Sequence, residues 1–486
     1  MANETSNFPE LIAHCKEYGY IFQSSEIYDG LAAVYDYGQN GAQLKKNIRD
    51  YWWKSMTQLN DNIVGIDAAI FMHPTTWKAS GHVDNFSDPM IDNKDSNKRY
   101  RVDHLIEGFA DELKANGNEQ LASNLVTAME GLIAASDYTG LKKLIEDNQI
   151  KCTISKTCNW TEVRDFNLMF STQIGSVSEE SDTIYLRPET AQGIFVNFLN
   201  VQKTGRMKIP FGIAQTGKAF RNEIVARQFI FRMREFEQME MQFFVRPGTQ
   251  MQWYNYWKEE RKKWHESIGI PAEKLRYHDH IKLAHYADAA LDIEFEFPFG
   301  WKELEGIHSR TDFDLTQHQT YSKKKIQYFD NDLKEDGKPY GNYIPYVVET
   351  SVGLDRLFLT VISLAYANEE WTKEDGTKDS RVVLRIPAKI APTKLAILPL
   401  LKKDGLPEIA RELMNDCKRS FMCFYEEKDS IGKRYRRMDA LGTPFCVTID
   451  HQTKEDQTVT IRYRDNMVQE RISLVDVKNL VLSKLG

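Results

Sequence analysis

No run of 18 apolar residues occurs anywhere in the 486-residue sequence, so it offers no helix able to cross a bilayer, and no membrane contact is expected. The first residues, MANETSNFPEL, carry neither a basic segment nor an apolar run; no secretory signal is expected, and the expected location is the cytoplasm. Cysteine is scarce. The six residues at 15, 152, 158, 417, 423 and 446 are too scattered for a disulfide framework and predict free thiols. Zinc spacing is missing as well. Cys152 and Cys158 have no second pair, and His278, Asp279, His280 and His285 in HDHIKLAH match no common arrangement, so no structural zinc is expected. Near Gly212, GIAQTGKA approaches a phosphate loop but ends on Ala219, without the hydroxyl that a bound metal requires, and reads as strand.

The formal net charge of −7 is unevenly spread. From Arg381 onward 20 basic residues face 14 acidic ones, whereas residues 1–380 carry 43 against 56. An acidic body with a basic tail fits a small-molecule enzyme joined to a module that touches polyanions. The segment 41–60 predicts an amphipathic helix with Leu44, Ile48, Tyr51, Trp52 and Met56 as its stripe, and IVGIDAAIFMHP predicts a strand ended by Pro74. Residues of about 87–160 are polar and helix-patterned, and predict an insertion. From Phe166 short strands follow one another at hairpin spacings, which points to an antiparallel sheet. Residues 354–367 predict a buried helix, 371–381 an exposed linker, and 385–486 an α/β module.

The richest segment is 231–244, FRMREFEQMEMQFF, expected as one long strand. Period two puts Phe231, Met233, Met239, Met241 and Phe243 on one face and Arg232, Arg234, Phe236, Gln238, Glu240 and Gln242 on the other. The second face suits a ligand with phosphates, a flat base and an ammonium group; the alternative is a solvated outer face. In FRNE, Arg221 and Glu223 share a face, and a hairpin through IVARQ would set them beside Arg232 to Phe236; the alternative is a surface ion pair. Glu349, Ser351 and Gly353 end a strand on one side, and Arg356 then stands in the first turn of a helix, a natural anion site. Glu189 behind Pro188, and Glu303, are further candidate acids. Lys433, Arg434, Arg436 and Arg437 follow the potential cap Ser430 and could meet nucleic-acid phosphates, or form a solvated helix face.

Taken in order, HPTTWKASGHVDNF, RYRVDHL, FNLMFST, YLRPETAQGIFVNF, IPFGIAQTGKAFRNEI, FRMREFEQMEMQFF, VVETSVGLDRLFL and SIGKRYRRMDALGTPFCVTID resemble the dimeric glycyl-tRNA synthetases, of the class II aminoacyl-tRNA synthetases. The resemblance runs from about Tyr28 to the C-terminus. It implies an α+β fold: a catalytic domain over 1–384 built on an antiparallel sheet flanked by helices, with the insertion at about 87–160, and an anticodon-binding α/β domain over 385–486. It implies a homodimer that activates glycine with ATP and Mg²⁺ and passes it to the terminal adenosine of tRNA(Gly). Arg221, Glu223 and Arg356 would be catalytic. ATP would be held by Arg221, Asn222, Glu223, Phe231, Arg232, Met233, Arg234, Glu235, Phe236, Glu303, Leu304, Gly353, Leu354, Asp355 and Arg356, with Glu303 toward Mg²⁺. Glycine would be held by Arg101, Glu189, Phe236, Glu237, Gln238, Met239, Glu240, Glu349, Thr350, Ser351, Val352 and Gly353. Two departures from the family stand out: ETSVGLDR lacks the proline that often follows the glutamate, and the cysteine knuckle is reduced to KCTISKTC. Two other readings are a catalytically silent nucleic-acid-binding relative and a synthetase for another small amino acid.

Overall fold

The computed structural model describes residues 8–175, 182–223, 228–281, 283, 287–334, 337–373 and 375–485. The chain forms two compact units, one of residues 1–70, 189–219 and 223–486 and a second of residues 71–188 and 220–222.

In the first unit a seven-stranded sheet carries the site. We number its strands β1 (Ile63–Gly65), β2 (Phe211–Phe220), β3 (Glu235–Val245), β4 (Leu275–Asp279), β5 (Ala289–Phe297), β6 (Gly300–Thr311) and β7 (Tyr346–Gly353), in the spatial order β4-β5-β6-β7-β3-β2-β1. Most neighbours described pair antiparallel, as the strand run predicted, while β1 runs parallel to β2. Met239, Met241, Phe243 and Val245 of β3 point into a large apolar core with Leu354, Leu357, Phe358 and Val361 of the helix Leu354–Ala365 and with Leu44, Ile48, Trp52 and Met56 of the helix Gln39–Thr57. Tyr51, the remaining member of the expected stripe, packs at the edge of this core.

Four local expectations need correction. Residues 229–231 form a short 3₁₀ turn and β3 begins only at Glu235, so Arg232 and Arg234 do not continue its row. After Ile63–Gly65 the strand stops, and Pro74 opens the helix Pro74–Ala79, where its missing N–H is harmless. The expected linker 371–381 is mostly hairpin, Tyr366–Thr372 paired with Lys378–Leu384, because Arg381 is buried on Glu369 (2.6 Å) and Asp439 (2.9 Å). Of FRNE only Phe220 is strand: β2 ends there, and residues 224–227 of the expected hairpin, like His285, lie outside the described residues.

The tail is a five-stranded sheet ordered Cys423–Tyr425, Leu395–Pro399, Phe445–Ile449, Thr458–Tyr463, Gln469–Ser473, the first three parallel and the last two antiparallel. Its helices bury Leu406, Ala410, Leu413 and Val477 on that sheet.

The second unit has its own core. The helices Val102–Ala115, Glu119–Ala134 and Tyr138–Asp147 pack Ile106, Leu125 and Leu141 together with Ile91 of the strand Ser87–Asn93. Cys152 is buried in it, and its sulfur is ringed by the hydroxyls of Ser96 (3.2 Å) and Tyr100 (3.1 Å) and the Ser155 amide (3.4 Å). Burial would push this thiol up, but those hydrogen bonds outweigh it and hold it at about 6. Among the described residues, no helix is long and apolar enough to cross a membrane.

Candidate active site

Register builds the site. Across β3 and β7, Gln238 opposes Gly353, Glu240 opposes Ser351 and Gln242 opposes Glu349; across β6 and β7, His308 opposes Glu349. Cross-strand partners share a face, so these side chains form one polar patch on the sheet side away from Met239 and Met241. This patch is no solvated face. Glu240, Gln242 and Glu349 are all at most 5% exposed.

One amide ties the two acids together. Gln242 Nε2 donates to Glu240 Oε1 (2.8 Å) and to Glu349 Oε2 (2.7 Å). Glu349 also accepts from His308 Nδ1 (2.7 Å) and Arg310 Nη1 (3.1 Å), and Arg310 grips Asp314 with Nε (2.8 Å) and Nη2 (3.1 Å). Beside them, the Thr190 hydroxyl donates to Glu240, and Gln192 Nε2 reaches Glu189 (3.0 Å) and Asp314 (3.1 Å) while its Oε1 accepts from His318 Nε2 (2.8 Å). Gln238 accepts from the Thr190 amide (3.2 Å) and lies 3.5 Å from the Ser351 hydroxyl.

Among the described contacts, Glu349 and Asp314 share the Arg310 guanidinium and Glu349 also meets His308, while Glu240 is met by the neutral Thr190 and Gln242. Burial raises the Glu240 carboxyl well above the carboxylate range, and the negative charges of Glu349 and Glu189 add to that. Burial acts on Glu349 too, but Arg310, His308 and Gln242 outweigh it and hold that carboxyl far below its usual range. Glu349 in turn outweighs the burial of His308 and raises it, and Asp314 with Glu349 does the same for Arg310. A carboxyl kept from ionising first by burial and then by its acidic neighbours is a place prepared for an incoming cation.

A second group of expected residues gathers at the start of the helix Leu354–Ala365. Arg356 Nη1 pairs with Glu303 Oε2 (2.9 Å), its Nε donates to the Phe231 carbonyl (3.3 Å), and its guanidinium lies 4.6 Å from the Phe231 ring centre. Arg234 donates to the carbonyls of Glu223 and Ala32, both at 3.1 Å. Arg232, half-buried, makes no side-chain hydrogen bond among the described residues. Phe236 is half-buried at the start of β3, and Glu235 pairs with Lys218 (2.8 Å).

Arg221, Asn222 and Arg101 belong to the second unit. Arg221 Nε donates to the Pro188 carbonyl (3.1 Å), and its guanidinium lies 5.5 Å from the Phe86 ring centre. The Arg101 guanidinium is committed to Asp88 (3.2 Å) and Asp103 (3.0 Å).

Several expected residues point elsewhere. Met233, Met239, Val352, Leu354 and Leu304 are core, and Thr350 is buried opposite Met241. Glu237 and Asp355 lie on the core face of the sheet, where Lys45 Nζ meets Asp355 (2.6 Å) and Glu237 (3.4 Å), Arg49 meets Glu237 (2.9 Å), the Tyr37 hydroxyl donates to Asp355, and the Glu237 amide donates to Asp355 (2.7 Å). Their side chains hold β3 to two helices and do not face Glu240. In the tail, Arg434 is buried and donates to the carbonyls of Pro399 (2.7 Å), Glu426 (3.1 Å) and Leu400 (3.2 Å), so it is not available to a polyanion. Arg436 is held by Asp379 (2.7 Å) and Arg437 by Glu426 (2.7 Å) and Asp429 (2.8 Å); Lys433 is exposed.

Sequence reasoning missed Thr190, Gln192, His308, Arg310, Asp314 and Lys45. A signal existed for two of them: His308 and Arg310 alternate on a strand with Ile307 and Ser309, the pattern used to single out Glu240. Asp314 and Lys45 sit on helices where a charged residue ordinarily marks the solvent side, and only the fold shows them facing inward.

A model of the anticodon binding domain matches residues 394–484, and one of glycyl-tRNA synthetase insertion domain 1 matches residues 88–124 and 116–168. Over its whole length the chain is similar to proteins named glycine–tRNA ligase. That of Chlorobaculum tepidum is 53% identical over 478 residues, 98% of this chain and 99% of the relative. That of Treponema denticola is 48% identical over 487 residues, 100% and 98% of the two chains, and that of Macrococcus caseolyticus 47% identical over 481 residues, 99% of each.

Proposed function

The chain belongs to the glycine–tRNA ligase family, and on that premise we propose that it activates glycine with ATP to glycyl-adenylate and transfers the glycyl group to the 3′-terminal adenosine of tRNA(Gly). The observation that carries the assignment of the glycine pocket is the buried pair Glu240 and Glu349 on the β3–β7 face, of which Glu240 is held uncharged. An α-ammonium group brings a positive charge and three donors, which Glu189, Glu240 and Glu349 can accept. Gln238 and Ser351 border the same patch and would orient the rest of the amino acid.

Adenylate formation needs no base, because the glycine carboxylate is already a nucleophile. One of its oxygens bonds to the α-phosphorus of ATP, and the bond from that phosphorus to the bridging oxygen breaks, releasing pyrophosphate. The enzyme's work is to align the two and to offset charge at phosphorus. Arg356 would take the terminal phosphate, exchanging Glu303 for it, and Phe236 would stack on adenine. The resemblance assigns Arg221 to the α-phosphate, Glu223 to the adenine edge and Arg101 to the glycine pocket. The half-exposed carboxylate of Glu303 is an oxygen ligand of the kind Mg²⁺ takes together with substrate phosphates. Bound there, Mg²⁺ would offset phosphate charge.

We assign residues 1–384 to the catalytic domain and 385–486 to anticodon recognition, with Lys433 the available cation on its helix. The cytoplasmic location and the homodimer are supported by the resemblance to the dimeric branch of the family. Glycine is the smallest amino acid, so a closed pocket can reject the others by clash, and no editing domain is needed. Pyrophosphate exchange into ATP, measured with each of the twenty amino acids, tests this: glycine alone should support it, and comparable exchange with alanine or serine would overturn the assignment.

A further inference from the structure

The row of side chains that begins at Glu349 continues across the sheet beyond the glycine pocket. Glu349 on β7 opposes His308 on β6, and His308 opposes Ala290 on β5. Just past the end of β4, His280 hydrogen-bonds through its backbone to Ala290 (3.0 Å). Alternate strands are about 10 Å apart, too far for most side chains to meet. Here the small Ala290 lies between the two histidines, and their ring centres come within 5.8 Å. Asp292, two residues along the same face of β5, adds its carboxylate 2.9 Å from His280 Nε2. One ligand atom from each of His280, Asp292 and His308 lies within 4.8 Å of the others, and all three residues are half-buried.

Two further features favour a bound ion. Because Glu349 can only accept, His308 presents Nδ1–H to it, which leaves Nε2 as the ring nitrogen able to take a metal in place of a proton. A carboxylate behind a histidine in this way is the support that metal-binding imidazoles commonly have. The space is also kept clear: a Cβ at position 306 would lie 3.0 Å from His308 Cε1, 3.3 Å from its Nε2 and 3.8 Å from Asp292 Oδ1, and the residue there is Gly306.

We propose that His280, Asp292 and His308 bind one divalent transition-metal ion, with Glu349 as the supporting carboxylate behind His308. Two imidazoles and one carboxylate suit Zn²⁺ and its first-row neighbours, with ligand distances of about 2.0–2.2 Å, and are a poor set for Mg²⁺, which takes oxygen. The spacing HDHIKLAH concealed this site because Asp292 and His308 come from the next two strands. The site stands on its own geometry; only its link to glycine through Glu349 rests on the function proposed above.

The test is titration of the metal-stripped full chain with Co²⁺, without glycine or ATP, following the visible absorption of low-coordinate Co²⁺. One Co²⁺ per chain is expected, displaced by Zn²⁺ and not by Mg²⁺. Affinity should fall at least about tenfold in His280→Ala and in Asp292→Asn, and also in Glu349→Gln if that carboxylate supports His308, while His278→Ala binds normally. Circular dichroism shows that each variant is folded, and Asp292→Asn keeps the shape of the side chain. Absence of a saturable band in the wild type, or unchanged binding in both His280→Ala and Asp292→Asn, would overturn the site whether or not the protein charges tRNA.

Discussion

Strand β3 separates two buried acidic clusters that look alike in the sequence and differ in the partners their acids meet. On its core face, Glu237 and Asp355 meet Lys45 and Arg49, two acids against two bases. On the opposite face, Glu349 meets Arg310 and His308 and Asp314 meets Arg310, while Glu240 meets Thr190 and Gln242. The first cluster is complete as it stands and fixes β3 to the helices Gln39–Thr57 and Leu354–Ala365. In the second, the partners that meet Glu240 are neutral. A buried network whose acids are met by bases serves the fold, and one that leaves an acid to neutral partners is prepared for a ligand.

The sharpest way to break this comparison is to remove a cation from the balanced side. Lys45→Met leaves Asp355 and Glu237 buried with Arg49 alone and should destabilise the protein by about 3–5 kcal/mol, read as a lowered denaturant midpoint. Stability equal to wild type would mean that the clamp is ornamental. The opposite face should respond in activity. Glu240→Gln removes an acid from a cluster already rich in them, so stability should hold or rise. Glycine-dependent pyrophosphate exchange should fall by about a hundredfold in kcat/KM, about 3 kcal/mol, because the ammonium loses a charged partner. A variant that melts early but exchanges normally would reverse the two roles.

Next in size is a pH effect whose sign differs between the two acids of the pocket. Glu240 holds its proton more tightly folded than unfolded, so raising pH above the ordinary carboxylate range costs stability until its raised pKa is passed. Glu349 is depressed, so its contribution is present above that range and is lost only as pH falls through and below it. An ammonium ion needs Glu240 ionised; glycine binding should therefore release a proton, and KM for glycine should fall as pH rises through the raised pKa of Glu240. Glu240→Gln should flatten that dependence. A slope that persists in the variant would assign it to another group.

The same contrast explains what could be read from sequence. Period two placed Glu240 and Glu349 correctly because both sit well inside regular strands, β3 and β7, where alternation holds. It misplaced Arg232 and Arg234, since the chain at Phe229–Phe231 is a 3₁₀ turn and alternation stops there. Glu237 and Asp355 were grouped with the ligand site by their place in a contiguous motif, yet their side chains point to the core and are spent on Lys45 and Arg49. Arg310 and Asp314 went unread because a buried ion pair between a strand end and the next helix leaves no trace in hydropathy. The reading of 371–381 as a linker failed similarly: its charges look solvated, but Arg381 is buried against Asp439, 58 residues away in sequence.

The smallest expected effect lies in the tail, where the four cations of one helix divide as β3 does. Arg434 is buried under three carbonyls, and Arg436 and Arg437 are held by acids, while Lys433 stands exposed. Lys433→Ala should leave pyrophosphate exchange and stability unchanged and weaken tRNA charging only modestly, with a salt dependence of KM for tRNA reduced by about one phosphate contact. Arg434→Ala should instead lower stability, because it strands three carbonyl acceptors inside the protein. If Lys433→Ala charges tRNA with an unaltered salt slope, the anticodon module must grip its nucleic acid through another face, and the basic run in this helix is structural throughout.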